Sequence, residues 1–236
     1  MISMIFIMVP RAAVSSGRVA EVLQTESTIH DPKHPVSIAN PRGLVEFDHV
    51  SFEYPGAERP VLNNITFTAQ PGQMTAFVGP TGSGKSTLVG LIERFYDVTE
   101  GAIRIEGVDL RDMRQSDLRS RIGYVSQRAV LFSGTIESNI RYGQANATPE
   151  QLANAADTAQ AREFIVQMEG EFQASIAQGG TNLSGGQKQR LAIARALARR
   201  AQIYIFDDSF SALDFRTDAM LRAALAAETA KSTVIV

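Results

Sequence analysis

The sequence holds no cysteine and no tryptophan, only three histidines, and a formal net charge of −2. Without cysteine there are no disulfides and no thiolate metal sites. The charge balance shows none of the basic excess typical of a nucleic-acid binder, so no nucleic acid is expected as a partner. No repeat at solenoid spacing and no low-complexity tract is present. Long apolar runs are missing too. Residues 1–9 are apolar apart from Ser3 and stop at Pro10 and Arg11, well short of the about 20 residues that a spanning helix needs. A secretory leader would carry positive charge before such a run, and here it follows. Two readings of residues 1–9 stand: a buried strand or tail, or the last turns of a transmembrane helix. On the second reading Arg11 and Arg18 would lie on the cytoplasmic side.

What is present is an ordinary globular composition, 236 residues with 44% hydrophobic side chains, enough for one large domain and a core. Residues 11–24 carry a modest helical pattern, and residues 25–43, with Pro32, Pro35 and Pro41, have the composition of a linker. From Leu44 the period becomes two. Val45 and Phe47 alternate, then Val50, Phe52 and Tyr54 alternate in the opposite phase, so a bulge is expected at Asp48-His49. Strands are expected over 61–68 and 74–78, making a small antiparallel sheet at the start. Helix and strand then alternate: helix 85–95, strands 102–106 and 122–126, mostly helix 149–168, helix 184–200, strand 203–206, helix 216–230 and strand 232–236. That order implies an α/β core with a mainly parallel sheet. A strand running to Val236, with the apolar start, leads to the expectation of a piece of a longer chain.

One segment carries explicit chemistry. Gly79, Pro80, Thr81, Gly82, Ser83, Gly84, Lys85, Ser86 and Thr87 fit the spacing of a phosphate-binding loop between an apolar strand and a helix. Glycines let backbone N–H groups close around phosphate oxygens, and the helix turns its positive end to the same charge. Lys85 should reach the outer phosphates, Ser86 should offer its hydroxyl to Mg²⁺, and Thr87 should assist at the α-phosphate. Downstream, the apolar residues 203–206 end at Asp207 and Asp208. A carboxylate at the C-terminal end of a parallel strand is where ligands bind, and Asp207 suits Mg²⁺ held through water. A third segment is Leu183, Ser184, Gly185, Gly186 and Gln187. Ser184 and Gln187 make a capping box, but that leaves two glycines in a first helical turn unexplained. Each costs up to about 1 kcal/mol there relative to Ala.

The run LSGGQKQRLAIARAL resembles the signature segment of ABC transporter ATPases, and most of residues 44–236 follows that family's order. The resemblance implies a P-loop NTPase core with an antiparallel β subdomain and a helical subdomain at about residues 128–183. It implies ATP and Mg²⁺ as ligands, with Tyr54 stacking on adenine and Gln127 contacting Mg²⁺ and the attacking water. It implies Asp208 as the catalytic carboxylate and Asp214, in Ser211-Ala212-Leu213-Asp214, as part of a loop that crosses to a partner. Taken alone, Tyr54 reads equally well as a strand aromatic and Gln127 as a solvated loop residue. Two such domains would sandwich ATP, each P-loop capped by the other's residues 183–187. Residues 1–24 would be the end of the last transmembrane helix and its extension, and residues 25–43 the linker. The implied partners are a second ABC ATPase domain and a transmembrane domain of the same chain. The implied place is the cytoplasmic face of the cell membrane, in an exporter. A soluble ABC ATPase, or a nucleotide-binding module with little turnover, would share the same motifs.

Three departures from the family stand out. Asp208 replaces the usual Glu and is one methylene shorter, by about 1.5 Å, which implies slow hydrolysis at this P-loop and favours a heterodimer with one degenerate site. The family's switch histidine is expected just past Val236, since His30, His34 and His49 lie too early. Gln178 stands where exporters often carry Glu.

Overall fold

In a computed structural model, residues 2–236 are described, with the side chains of residue 6 and of residues 8–236. The chain falls into two compact units, Met1–His30 and Asp31–Val236. The first unit is helix α1 (Ile2–Gln24), which continues through Pro10. This corrects the strand-or-tail reading for the described part of residues 1–9; the side chains of residues 1–5 and 7 lie outside the described set. Among the described residues no helix is long and apolar enough to cross a membrane.

The second unit contains two larger sheets. Strands β1 (Val45–Phe52), β2 (Leu62–Ala69), β4 (Glu100–Ile105) and β5 (Val108–Asp109) form an antiparallel sheet in the order β2-β1-β4-β5. Strands β3 (Met74–Thr75), β6 (Ile122–Val125), β9 (Ile203–Phe206) and β10 (Thr233–Ile235) form a parallel sheet in the order β3-β10-β9-β6. The minor pair β7 (Gly134–Thr135) and β8 (Ser175–Ile176) is antiparallel. The fold is therefore α/β with a parallel core and an antiparallel flank. The expected bulge is present: β1 shifts register against β2 between Phe47 and Val50, and His49 takes φ 50°.

Two-residue periodicity explains the layering. Ile203, Ile205 and Ile235 point into one core with Val45, Phe47, Ile105, Leu88, Leu91 and Ile92. Tyr204, Phe206 and Val234 point into the other with Leu191, Ile193 and Leu197. The parallel sheet is thus buried on both faces, as parallel sheets must be. Its first cover is helix α2 (Lys85–Ile92), under the antiparallel sheet. Its second cover is helix α7 (Gly185–Ala198), most of whose side chains are buried. Fully burying one such aliphatic side chain stabilises the fold by about 1.5–3 kcal/mol.

Helices α3 (Gln115–Ser120), α4 (Ile136–Arg141), α5 (Pro149–Thr158), α6 (Arg162–Gln167) and α8 (Phe215–Glu228) complete the unit. Helix α2 stops at Ile92, short of the expected residue 95, because Arg94 turns to φ 52° and its guanidinium bonds Asp97 at 2.7 Å. Helix 149–168 is broken at Gln160, φ 55°. The expected strand 74–78 is regular only over Met74–Thr75, although the Phe77 N–H still bonds the Val236 carbonyl at 2.8 Å.

Residues 31–44 contain no regular element, yet they are tied along the second unit. The Gln115 N–H donates to the Asp31 carboxylate at 2.8 Å, and the Val36 N–H donates to the Asp112 carbonyl at 2.8 Å. The Glu106 carboxylate accepts the N–H groups of Arg42, Gly43 and Leu44 at 2.6, 2.8 and 3.1 Å. Burial alone would raise the Glu106 carboxyl, but those N–H groups outweigh it and hold it below its ordinary value.

Glu93 caps the C-terminal end of α2 and is only 7% exposed. Burial raises its carboxyl from 4.5 to about 7, with Arg119 and Arg199 pulling it down. Between those two values the folded chain binds more proton than the unfolded chain, so stability falls as pH rises through that window. Glu93→Gln is expected to remove the slope and to stabilise the protein near pH 8 by on the order of 2–3 kcal/mol. Urea unfolding of both proteins at about pH 5 and about pH 8 checks this.

Candidate functional site

Three crossovers of the parallel sheet deliver their loops to one edge. The loop after β3 leads into α2, the loop after β6 carries Gln127, and the loop after β9 carries Asp207 and Asp208. They enclose a cleft of about 580 Å³ lined by Gly79, Thr81, Gly82, Gly84, Lys85, Ser86, Thr87, Gln127, Asp207 and Asp208, with Val61 and Phe77 among its apolar walls. A cleft outside the carboxyl ends of parallel strands is the expected place for a ligand in such a sheet.

The loop is built to present backbone. Gly82 and Gly84 sit at φ 83° and 90°, where an L side chain is strained. A Cβ on Gly82 would meet nothing within 4 Å, so this position is bare toward open space. Gly84 starts α2 with no side-chain cap, which leaves the first-turn N–H groups available to an anion. The Lys85 ammonium donates to the carbonyls of Gly79 and Pro80 at 2.8 and 2.9 Å and approaches Ser83 Oγ at 3.5 Å. The charge is therefore held at the mouth of the loop.

At the far wall, the Ser86 hydroxyl donates to Asp207 Oδ1 at 3.0 Å. The Gln127 amide donates to Asp208 Oδ2 at 3.0 Å. The Asp207 N–H and the Ser209 hydroxyl both donate to the Val125 carbonyl at 2.9 Å, locking the ends of β6 and β9 together. Asp208 takes φ 46°, a conformation that Asp tolerates better than most residues. Beside this wall, burial pushes the Tyr124 phenol up to about 12, with the Asp207 carboxylate adding to the rise. The hydroxyl, carboxylate and amide oxygens here are hard donors that fit Mg²⁺, which takes few protein ligands and fills its shell with water and phosphate oxygen. Among the described residues no three His, Asp or Glu gather to hold a metal unaided. Shared coordination with phosphate is the arrangement that these donors suit.

The sequence-derived residues divide into two groups. Lys85, Ser86, Thr87, Gln127, Asp207 and Asp208 come together. Tyr54 does not line the cleft. Its hydroxyl lies 3.0 Å from Thr87 Oγ1, and its ring packs edge-on against Phe52 and Tyr96. Residues 183–187 are likewise outside the cleft. There, the Gln187 N–H donates to Ser184 Oγ at 3.3 Å and the Ser184 N–H donates to Gln187 Oε1 at 2.9 Å, a capping box opening α7. The two glycines separate in purpose. A Cβ on Gly186 would press the Ala212 carbonyl at 3.2 Å, whereas one on Gly185 would meet nothing. Gly186 is thus explained by packing on the loop 211–214, and Gly185 by nothing among the described residues. Asp214 also has a local duty: the Thr217 N–H donates to its carboxylate at 3.0 Å, capping α8, and hydrogen bonding from the Thr217 side chain and then its backbone holds the carboxyl below its usual range. Sequence reasoning missed Val61 as a cleft wall. Its only signal was an apolar residue beside a strand start.

A family model described as ABC transporter matches residues 62–211. An uncharacterized ABC transporter ATP-binding protein of Mycobacterium tuberculosis (strain ATCC 25618 / H37Rv) is 48% identical over 240 residues, covering 100% of this chain and 41% of that protein. The beta-(1→2)glucan export ATP-binding/permease protein of Rhodopseudomonas palustris is 44% identical over 204 residues, 86% of this chain and 34% of that protein. A solved bacterial Atm1-family ABC exporter with ATP bound superposes with a TM-score of 0.88 at 35% identity, over 98% of this chain and 40% of that one. The chain spans about two fifths of the length of the first of these relatives, 41%.

Proposed function

The chain belongs to the ABC transporter family of ATP-binding proteins, and on that footing we propose that it is the ATP-hydrolysing motor of a membrane exporter. One observation carries this reading. Lys85, Ser86, Gln127, Asp207 and Asp208 converge on one cleft, while residues 183–187 stand outside it with Gly185 bare. A phosphate chain in the cleft would meet the loop's N–H groups and Lys85 on one side only. The uncapped face of that ligand calls for a second helix N-terminus, and residues 184–187 supply one to a partner domain.

The chain's own residues then have distinct duties. The amides of residues 82–87 and the Lys85 ammonium bind and orient the phosphates. Ser86 and Asp207 would hold Mg²⁺, which when bound neutralises phosphate charge and polarises the outer phosphorus. Gln127 and Asp208 orient the attacking water, and Asp208 accepts its proton. Tyr54, braced by Phe52 and Tyr96, is the proposed platform for the base. Nucleotide binding draws two domains together and hydrolysis releases them, a shift between two states set by differential affinity. Coupled to a permease portion on the same polypeptide, at the cytoplasmic face of the membrane, that cycle would drive export of a solute or lipid. Residues 1–24 would enter from the last transmembrane helix, residues 25–43 would be the linker, and residues 128–183 would face the membrane part. Asp208 favours a heterodimer in which this cleft turns over slowly and residues 183–187 complete the partner's faster one.

Gly185→Val tests the trans role, since a Cβ at that position meets nothing within 4 Å. In the full-length transporter with its partner, this variant is expected to bind MgATP at its own cleft as the parent does. Hydrolysis at the partner's cleft should fall by about 10²-fold or more. Unchanged turnover with stable dimers would contradict the sandwich.

A further inference from the structure

A half-buried guanidinium that the cleft does not use links the two nucleotide-facing elements. Arg195, on α7, donates through Nε to the Asn139 carbonyl at 2.9 Å, through one terminal nitrogen to the Val130 carbonyl at 2.9 Å, and through the other to Asn139 Oδ1 at 2.8 Å. Its plane lies over Phe132 at 5.3 Å and Tyr142 at 5.9 Å. Burial lowers its affinity for the proton. Among the described residues no carboxylate forms an ion pair with it. Drawing a charge partly out of water among neutral acceptors is costly, and an apolar side chain would avoid that cost. What the guanidinium alone provides is a rigid fork that grips several carbonyls at once.

The gripped groups matter. Val130 sits in the loop that begins with Gln127, whose amide holds Asp208. Asn139, 1% exposed, fastens the same loop from the other side. It accepts the Phe132 N–H at 2.9 Å and donates to the Phe132 carbonyl at 2.8 Å. The helix carrying Arg195 is the one whose first turn bears Ser184 to Gln187. We propose that Arg195 is a positioning residue that makes the loop 127–132 move as one body with α7. The water-orienting end of this chain's own cleft is thereby coupled to the turn it presents to the partner's nucleotide. This inference rests on the sandwich reading above.

The experiment uses the full-length transporter with its partner and two variants, Arg195→Met and Arg195→Lys. Lys keeps the charge but loses the fork, and serves if Met fails to fold. Because no P-loop contact is touched, KM for MgATP should stay within about twofold while kcat falls about tenfold or more. Spin labels at Arg128→Cys and Lys188→Cys report the distance between the loop and the start of α7. In the parent that distance should be the same with and without MgATP. In either Arg195 variant it should change by several ångström on MgATP binding. A variant with the parent's kcat, or with label distances as indifferent to MgATP as the parent's, would overturn the proposal. A loss of folded protein with KM and kcat of the remainder unchanged would also overturn it, reducing Arg195 to a structural staple. A parent that shows no saturation by MgATP at all would instead remove the sandwich reading, and this inference with it.

Discussion

Lys85→Ala is expected to lower ATP hydrolysis by about 10²–10³-fold and to weaken MgATP binding by at least about tenfold. The reasoning is electrostatic. Among the described residues that line the cleft the ammonium is the one cation, and it is held by the carbonyls of Gly79 and Pro80 on an exposed edge of the loop. Removing it leaves the amides of the loop and the helix start to offset the phosphate charge alone. The fold should barely notice, because the lost contacts are exposed ones on the loop's rim. Equilibrium binding of a fluorescent ATP analogue, with thermal unfolding as the control, separates the two effects. A Lys85→Ala protein that binds and hydrolyses like its parent would deny the cleft its assigned role.

The second large effect runs the other way. Asp208→Glu is expected to raise hydrolysis at this cleft by about 10²-fold. Asp208 Oδ2 is fixed 3.0 Å from the Gln127 amide, so the carboxylate stops at the cleft wall. One more methylene would carry its oxygens about 1.5 Å further. Glu tolerates the left-handed backbone at φ 46° less well than Asp, so the gain in rate should come with a loss of about 1 kcal/mol in stability. The measurement is single-turnover hydrolysis in the full-length transporter whose other cleft has been silenced. If the rate does not rise, the shorter side chain does not limit the reaction and the degenerate-site reading falls.

Much of the parallel sheet and its cleft was legible because its signals are local and mutually consistent. Ile203, Tyr204, Ile205 and Phe206 are apolar on both faces and end on two carboxylates, and a strand buried on both sides requires that pattern. Ser184 and Gln187 announce the start of α7 through their own side chains. The flip of phase after Phe47 locates the bulge at His49. The failures are cases where a distant partner wins. Leu91, Ile92, Phe95 and Tyr96 keep a helical rhythm, yet Arg94 breaks it because Asp97 and the Met113 carbonyl, at 3.4 Å, take its guanidinium. The linker composition of residues 25–43 does not disclose that Glu106 binds the N–H groups of Arg42, Gly43 and the adjoining Leu44 from more than sixty positions away. Arg195 was invisible for the same reason: nothing in its neighbourhood along the chain shows that Val130 and Asn139 fold onto it.

The central claim is that backbone amides between Gly79 and Thr87 close around the phosphates of ATP. Amide hydrogen exchange of the full-length protein, with and without MgATP, reads those groups directly. The account predicts strong protection of residues 82–87 and the flanks of Gln127 and Asp207, joined by residues 183–187 when two domains close on the nucleotide, and absent when adenosine replaces ATP. Equal exchange rates in that loop at saturating MgATP would contradict it.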